Sequence, residues 1–150
     1  MEPLMETEHE KPLVLVVDDD PTNLRILVSK LNREYRLGVA KSGTKALEYM
    51  TKQIPDLVLL DVMMPDMDGY EVCKHIKHDP KWCDIPVVFI SYVDDPGQKT
   101  RGFEVGGVDY ITKPFHDAEV LARVRTHIMN KQMREHTIWC LHLPGRTGKR

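Results

Sequence analysis

The feature that most constrains this chain is a fivefold alternation of short apolar runs with helical patterns. The runs cover residues 13–17, 36–40, 57–60, 87–90 and 109–111. The runs at 13–17, 57–60 and 87–90 are apolar without interruption, which is typical of strands buried on both faces of a parallel sheet. Five strand–helix units in alternation predict an α/β fold, with helices on both faces of one parallel sheet.

The helices that follow the runs have recognisable starts. Asp20, Ser42 and Asp68 are predicted N-caps of the first three, and a longer fifth helix is expected from about Asp117. The fourth, over residues 96–107, contains four glycines and is predicted to be the least stable. Its helical register runs through Thr100, Phe103 and Glu104. The second strand is the weakest, which suggests a sheet edge.

Length and charge limit the classes of protein that are possible. The 150 residues, 41% of them hydrophobic, suit one domain with tails. We expect a flexible N-terminal tail over 1–11, a domain over 12–133 and a C-terminal tail or truncated linker over 134–150. The 21 basic and 23 acidic residues are dispersed, so the sequence indicates no direct contact with nucleic acid and no membrane patch.

Cysteine usage and hydropathy bear on where the protein acts. Cys73, Cys83 and Cys140 are odd in number and have no CxxC spacing, so neither disulfides nor zinc are indicated. No stretch approaches the roughly 18 apolar residues needed to cross a bilayer, and the acidic N-terminus lacks an apolar signal core. A cytoplasmic location with reduced thiols is the expectation.

Polar side chains stand where four of the five strands end. They are Asp18 and Asp19, Asp61, Ser91 and Lys113. The carboxyl ends of parallel strands meet at one rim, where ligands of open α/β sheets bind. Three carboxylates, a hydroxyl and a lysine at one rim predict a magnesium site suited to phosphoryl chemistry. Each residue alone would more often be an ordinary cap or loop residue, so the joint placement carries the argument.

The same reasoning assigns roles within this rim. Asp18 and Asp19 can hold the metal, and Asp61, alone on the central strand, is placed as a nucleophile that forms an acyl phosphate. Lys113 would pair with one phosphoryl oxygen and Ser91 would donate a hydrogen bond to another.

Four segments then resemble one family in order and spacing: VLVVDDDP, LVLLDVMMPDMDGYEV, PVVFIS and DYITKPF. Over Leu13 to about Met133 the chain resembles the receiver domain of two-component response regulators. The resemblance implies a flavodoxin-like fold with strand order 2-1-3-4-5 and phosphorylation of Asp61. It also implies magnesium held by Asp19, Asp61 and the backbone carbonyl of Met63, with Asp18 assisting through water, and a cis bond before Pro114.

The resemblance further implies a conformational switch and a set of partners. Ser91 moves toward the phosphoryl group, Tyr110 swings from an exposed to an inward position, and the face of helix 4, strand 5 and helix 5 is remodelled. A histidine kinase or phosphotransfer protein would donate the phosphoryl group, and a homodimer through the remodelled face is possible. The chain would be a phosphoacceptor and not an enzyme, apart from self-phosphorylation from small donors and slow autodephosphorylation.

Two departures from the family pattern bear on kinetics. Tyr92 follows Ser91 where the family often has a small residue, so it would hinder water and small phosphodonors. Met63 and Val93 are apolar and offer nothing to position an attacking water. The hypothesis is a long-lived acyl phosphate.

Three other kinds of site are alternatives for this sequence. VVDDDPT contains the DxDxT pattern of haloacid dehalogenase-like phosphohydrolases, with Asp18 as nucleophile and Asp20 as acid/base, but the chain lacks their later acidic pair and any cap domain. Asp66, Asp68 and Gly69 resemble a calcium loop without its terminal glutamate. His75 and His78 could share a metal, although a solvated helix face is favoured.

Overall fold

The computed structural model describes residues 11–141 and their side chains as far as residue 135. Strands and helices alternate five times, as the sequence predicts. The elements are β1 Leu13–Val17, α1 Pro21–Leu31, β2 Arg36–Ala40, α2 Gly43–Lys52, β3 Leu57–Asp61, α3 Gly69–His78, β4 Val87–Ser91, α4 Pro96–Glu104, β5 Asp109–Thr112 and α5 Asp117–Leu141.

The five strands form one parallel sheet in the order β2-β1-β3-β4-β5. This confirms the predicted flavodoxin-like order and places β2 at an edge. β1 pairs with β2 on one side and with β3 on the other, so the winding direction reverses between them. A crevice therefore opens at the carboxyl ends of β1 and β3.

Side chains of each strand alternate between two cores, one on either face of the sheet. Val14 and Val16 of β1 pack on the face covered by α1 and α5, whereas Leu15 and Val17 pack on the face covered by α2 and α3. The helices bury one side against these faces through Leu24, Leu27, Leu31, Val72, Cys73, Ile76, Val120, Val124 and Ile128. Burial on both faces explains why β1, β3 and β4 lack alternation in sequence.

The fourth helix differs from its prediction in length and in register. α4 ends at Glu104 instead of reaching residue 107, because Gly106 adopts a positive φ of 110°. The predicted register through Thr100, Phe103 and Glu104 is wrong, since Phe103 is 51% exposed and the buried residue of α4 is Gly102. A Cβ at Gly102 would crowd Phe89 at 3.1 Å, so glycine favours this close approach of the helix to the sheet.

The fifth helix extends past the predicted domain end. Residues 134–141, expected to belong to a tail or truncated linker, continue α5. Near its end, Lys131 lies 3.5 Å from the Asp56 carboxylate and Arg134 donates to the carbonyl of Asp84. The 12–133 boundary therefore stays a prediction, and it does not coincide with the end of an element. The predicted tails over 1–10 and 142–150 lie outside the described residues, as do the side chains of Trp139 and Cys140.

The hydropathy of the sequence predicts no membrane-spanning segment. Within residues 11–141, no helix is both long enough and apolar enough to cross a bilayer.

Candidate functional site

Asp61 is the first polar residue after four fully buried apolar positions of β3 and is itself 5% exposed. The loop that follows it folds back over the strand end, where the Gly69 N–H donates to the Val62 carbonyl at 2.8 Å. A Cβ at Gly69 would lie 2.3 Å from the backbone oxygen of Asp61. Glycine at this position therefore permits the close packing that holds the Asp61 carboxylate at the rim.

The carboxylates of β1 and β3 converge as predicted. Asp18 is 1% exposed and Asp19 is exposed, and the oxygens that they and Asp61 can offer lie within 4.8 Å of one another. One oxygen of Asp18 also accepts a hydrogen bond from the backbone N–H of Asp20 at 2.9 Å. Oxygens this close can share one hard cation.

Lys113 brings a positive charge to these carboxylates from the end of β5. Its side chain is almost fully buried, and Nζ lies 3.0 Å from Asp18 Oδ2 and 3.6 Å from Asp61 Oδ1. Its backbone N–H donates to the Ser91 carbonyl at 2.7 Å, and the Lys113–Pro114 bond is cis as predicted. The structure thus unites strand ends that are 95 residues apart in sequence.

The electrostatics of this rim favour an added cation. Burial raises the pKa of Asp61 to about 6, the charges of Asp18 and Asp19 act in the same direction, and Lys113 and the Met63 backbone N–H oppose them. Three carboxylates face one lysine, which leaves an excess of negative charge in a partly desolvated place. A divalent cation with oxygen preference fits this donor set.

Ser91 and Tyr110, the predicted switch residues, both bind Val93 in the loop between β4 and α4. The fully buried Ser91 Oγ accepts from the Val93 N–H at 3.2 Å, and the Tyr110 hydroxyl donates to the Val93 carbonyl at 3.1 Å. Tyr110 is 7% exposed, so it occupies the inward position. The contribution of Val93 is made by its backbone, and sequence gives no signal for it.

Tyr92, predicted to hinder access, and Met63, predicted to position no water, lie at the surface of the site. The side chain of Met63 is 63% exposed and that of Tyr92 is 67% exposed. Lys113 Nζ lies 4.9 Å from the centre of the Tyr92 ring, within the range of a cation–π contact. The sequence placed Tyr92 beside Ser91 but did not reveal its contact with Lys113.

The other sites weighed from sequence are not assembled in the described part of the chain. The exposed side chain of Asp20 accepts from the Thr22 N–H as the N-cap of α1, and Asp68 caps α3 through the Glu71 N–H. His75 and His78 are exposed. Within residues 11–135, the only three-residue group of metal-binding side chains close enough to share an ion is Asp18, Asp19 and Asp61.

Comparison with known proteins gives matches over most of the described chain. Residues 14–125 match the family model described as the response regulator receiver domain. A probable cyclic di-GMP phosphodiesterase of Vibrio cholerae is 43% identical over 122 residues, which make up 81% of this chain and 28% of that protein. Response regulator PleD of Caulobacter vibrioides is 46% identical over 114 residues, 75% of this chain and 25% of that protein. The chain thus spans about a quarter of the length of these relatives.

Solved structures agree with the fold. The signal receiver domain of a histidine kinase from Syntrophus aciditrophicus superposes with a TM-score of 0.74 at 32% identity, covering 79% of this chain and 91% of the other. The BeF3-activated receiver domain of DrrB, a Thermotoga maritima protein, gives a TM-score of 0.73 at 34% identity, covering 79% and 98%.

Proposed function

This chain belongs to the response regulator receiver domain family, and from that premise we propose that Asp61 is its phosphoacceptor, assisted by magnesium, Lys113 and Ser91. The observation that carries the proposal is the buried Asp61 carboxylate at 3.6 Å from Lys113 Nζ and within reach of Asp18 and Asp19. Each of these groups has a use in phosphoryl transfer, and together they fit one reaction.

The chemistry follows from where the groups lie. A carboxylate oxygen of Asp61 forms the new P–O bond while the bond from phosphorus to the imidazole nitrogen of the donor's phosphohistidine breaks. The products are an acyl phosphate on Asp61 and the free histidine of the donor. Lys113 Nζ, beside Asp61 Oδ1, is placed to pair with an oxygen of the transferred group. Ser91 Oγ accepts from Val93, so its own proton is free to be donated to another phosphoryl oxygen.

The carboxylate group supports a metal at the same place. Asp19 and Asp61 would hold magnesium directly, with the backbone carbonyl of Met63, and Asp18 would act through a water. When bound, magnesium neutralises charge on the transferring phosphoryl group. The negative charge of Asp18 is already paired with Lys113 at 3.0 Å. The charges of Asp19 and Asp61 are less well neutralised, so these two carboxylates are better placed to bind a cation directly.

The partners and output of the whole protein are part of the proposal. A histidine kinase or phosphotransfer protein in the cytoplasm would be the donor, and no direct contact with nucleic acid or membrane is proposed. Phosphorylation would draw Ser91 toward the phosphoryl group, hold Tyr110 in the inward position that it occupies here, remodel the face of α4, β5 and α5, and so regulate an output domain or a second copy bound through that face. Activities named for the relatives belong to those longer proteins.

The lifetime of the phosphoryl group is a further part of the proposal. Tyr92 covers Lys113, and the exposed Met63 side chain presents no polar group to an incoming water. The acyl phosphate of Asp61 should therefore persist for minutes or longer. Loss of the adduct within seconds in magnesium buffer would contradict this part alone.

The decisive experiment follows intact mass after incubation with magnesium and acetyl phosphate. One phosphoryl adduct is expected, absent in Asp61→Asn and without magnesium. Asp66→Asn is the matched control, since Asp66 is exposed and its carboxylate accepts a hydrogen bond from the Thr44 hydroxyl. An adduct that survives in Asp61→Asn but is lost in Asp18→Asn would overturn the proposal in favour of a phosphohydrolase. If wild type gives no adduct, we measure binding of beryllofluoride with magnesium. Binding would mean that the site is intact but acetyl phosphate cannot reach it, and no binding would overturn the proposal.

A further inference from the structure

Three aromatic rings form a continuous row beneath α4. Tyr70 of α3, Phe89 of β4 and Tyr110 of β5 are all buried, and the ring centres are 5.3 Å apart in the first pair and 6.0 Å apart in the second. The rings are tilted, at 59° and 42° to one another, which is a favourable aromatic arrangement. The row therefore links one side of α4 to the predicted switch residue Tyr110.

Helix α4 lies directly on this row because two glycines permit it. A Cβ at Gly102 would lie 3.1 Å from Phe89, and one at Gly107 would lie 2.5 Å from the same ring. Apart from Gly102, every residue of α4 is at least partly exposed. The position of the helix thus depends on few contacts, and a single hydrogen bond to it has a proportionally large effect.

Such a bond comes from Tyr70. Its hydroxyl donates to the backbone carbonyl of Gln98, in the first turn of α4, at 2.9 Å. The guanidinium of Arg101, one turn further, lies 4.4 Å from the centre of the Tyr70 ring. Burial, followed by a hydrogen bond involving Tyr110, raises the pKa of the Tyr70 hydroxyl, so it remains a donor. Phenylalanine would fill the same volume, and the hydroxyl is what ties α3 to α4.

The hydroxyls of Tyr70 and Tyr110 hold the two ends of one short stretch of backbone. Tyr110 binds Val93, Tyr70 binds Gln98, and Ser91 Oγ accepts from the N–H of the same Val93. Holding this stretch in place keeps Ser91 oriented with its proton free for a phosphoryl oxygen. Release at Gln98 would let the start of α4 and the loop before it move together.

We propose that Tyr70 is a positioning residue of the switch: its hydroxyl holds the first turn of α4 and, with Tyr110, keeps the 93–98 stretch in the arrangement that accepts the phosphoryl group. The inference rests on the proposed function, because the arrangement matters only if Asp61 is phosphorylated. Tyr70 does not touch the reacting atoms and acts through the backbone of α4.

The first test measures affinity for beryllofluoride in the presence of magnesium. Tyr70→Phe is expected to bind about fivefold more weakly than wild type, the effect of losing one ordinary hydrogen bond. Tyr49→Phe is the matched control, because its hydroxyl bonds to Gln53 within α2, away from the switch. Equal affinity of Tyr70→Phe and wild type, or an equal loss in Tyr49→Phe, would overturn the inference.

A double variant separates positioning from general structural support. If Tyr70 and Tyr110 hold one stretch together, the loss in Tyr70→Phe/Tyr110→Phe should be smaller than the product of the single losses. Losses that multiply would mean that the two hydroxyls act independently, which contradicts the proposal.

Hydrogen exchange in the free protein gives a result that does not depend on phosphoryl chemistry. Amides of residues 97–104 should exchange about fivefold faster in Tyr70→Phe, with those of β1 unchanged and with no effect in Tyr49→Phe. Unchanged exchange in α4 of Tyr70→Phe would contradict the role proposed for Tyr70, even if the protein binds beryllofluoride. If exchange is faster but the protein binds no beryllofluoride, Tyr70 does stabilise α4 and the proposed phosphoacceptor function is wrong.

Discussion

The rim at the ends of β1, β3 and β5 and the α4 region are stabilised in opposite ways. At the rim, Asp18, Asp61 and Lys113 are almost fully buried and charged, so each depends on its neighbours. In α4 the buried residue is a glycine, and two tyrosine hydroxyls supply specific contacts. The first arrangement resists displacement, whereas the second can be displaced at small free-energy cost. A phospho-switch needs both, since a fixed site must bias a movable element.

The largest expected effect comes from removing the rim's buried cation. Lys113→Met should lower the free energy of unfolding by about 3–5 kcal/mol, because Asp18 and Asp61 would be left buried and unpaired. Urea denaturation in magnesium-free buffer measures this. Adding Asp18→Asn to the variant should restore part of the loss. No loss in Lys113→Met would mean that solvent screens these charges and that the rim is not a tightly coupled unit.

Glycine substitutions compare the two regions directly. Gly69→Ala should cost about 2–4 kcal/mol, since the new Cβ would meet the backbone oxygen of Asp61 at 2.3 Å. Gly97→Ala in α4 should be neutral or stabilising by up to about 1 kcal/mol, because its Cβ would approach only the Asp95 side chain, at 3.2 Å. Thermal unfolding of both variants is the measurement. A greater loss in Gly97→Ala would reverse the comparison.

The pH dependence of stability should report the strain at Asp61. Because folding raises the pKa of Asp61 to about 6, the folded state binds this proton more tightly than the unfolded chain does. The raised pKa favours folding while the acid is protonated, and this contribution is lost as pH rises from about 4 to about 6. Asp61→Asn should therefore match wild type near pH 3.5 and exceed it by about 3 kcal/mol at pH 7 without magnesium. A constant difference across this range would contradict the assignment.

A smaller effect of opposite sign is expected at Asp109, at the end of β5 away from the rim. Burial favours its neutral form, but hydrogen bonds from Arg123, His127 and the Tyr110 N–H outweigh it and hold the pKa of Asp109 below its ordinary value. Its contribution is present above the unfolded pKa of about 3.9 and is lost as pH falls through the folded pKa. Asp109→Asn should cost below about 1 kcal/mol at neutral pH, since Arg123 is partly exposed. Acid titration of its stability against wild type tests this.

Sequence patterns predicted the elements better than their contacts. Apolar runs predicted all five strands, and burial on both faces leaves a continuous apolar signature in β1, β3 and β4. Asp20, Ser42 and Asp68 cap helices as expected. Periodicity failed in α4, where Phe103 faces solvent and Gly102 faces the sheet. In α4 the close approach of Gly102 to Phe89 determines which side of the helix faces the sheet. A search for periodic apolar residues does not detect a contact made by a glycine.

The sequence by itself determined the parallel fold, the set of rim residues and the family. Strand polarity sends every carboxyl end to one rim, so polar residues after apolar runs must meet there. Only the tertiary structure decided how those residues share charge, as in the bond from Lys113 to Asp18 across 95 residues. It also decided the inward position of Tyr110 and the contact of Tyr70 with Gln98. These depend on distances between elements remote in sequence, which packing fixes and local propensity does not encode.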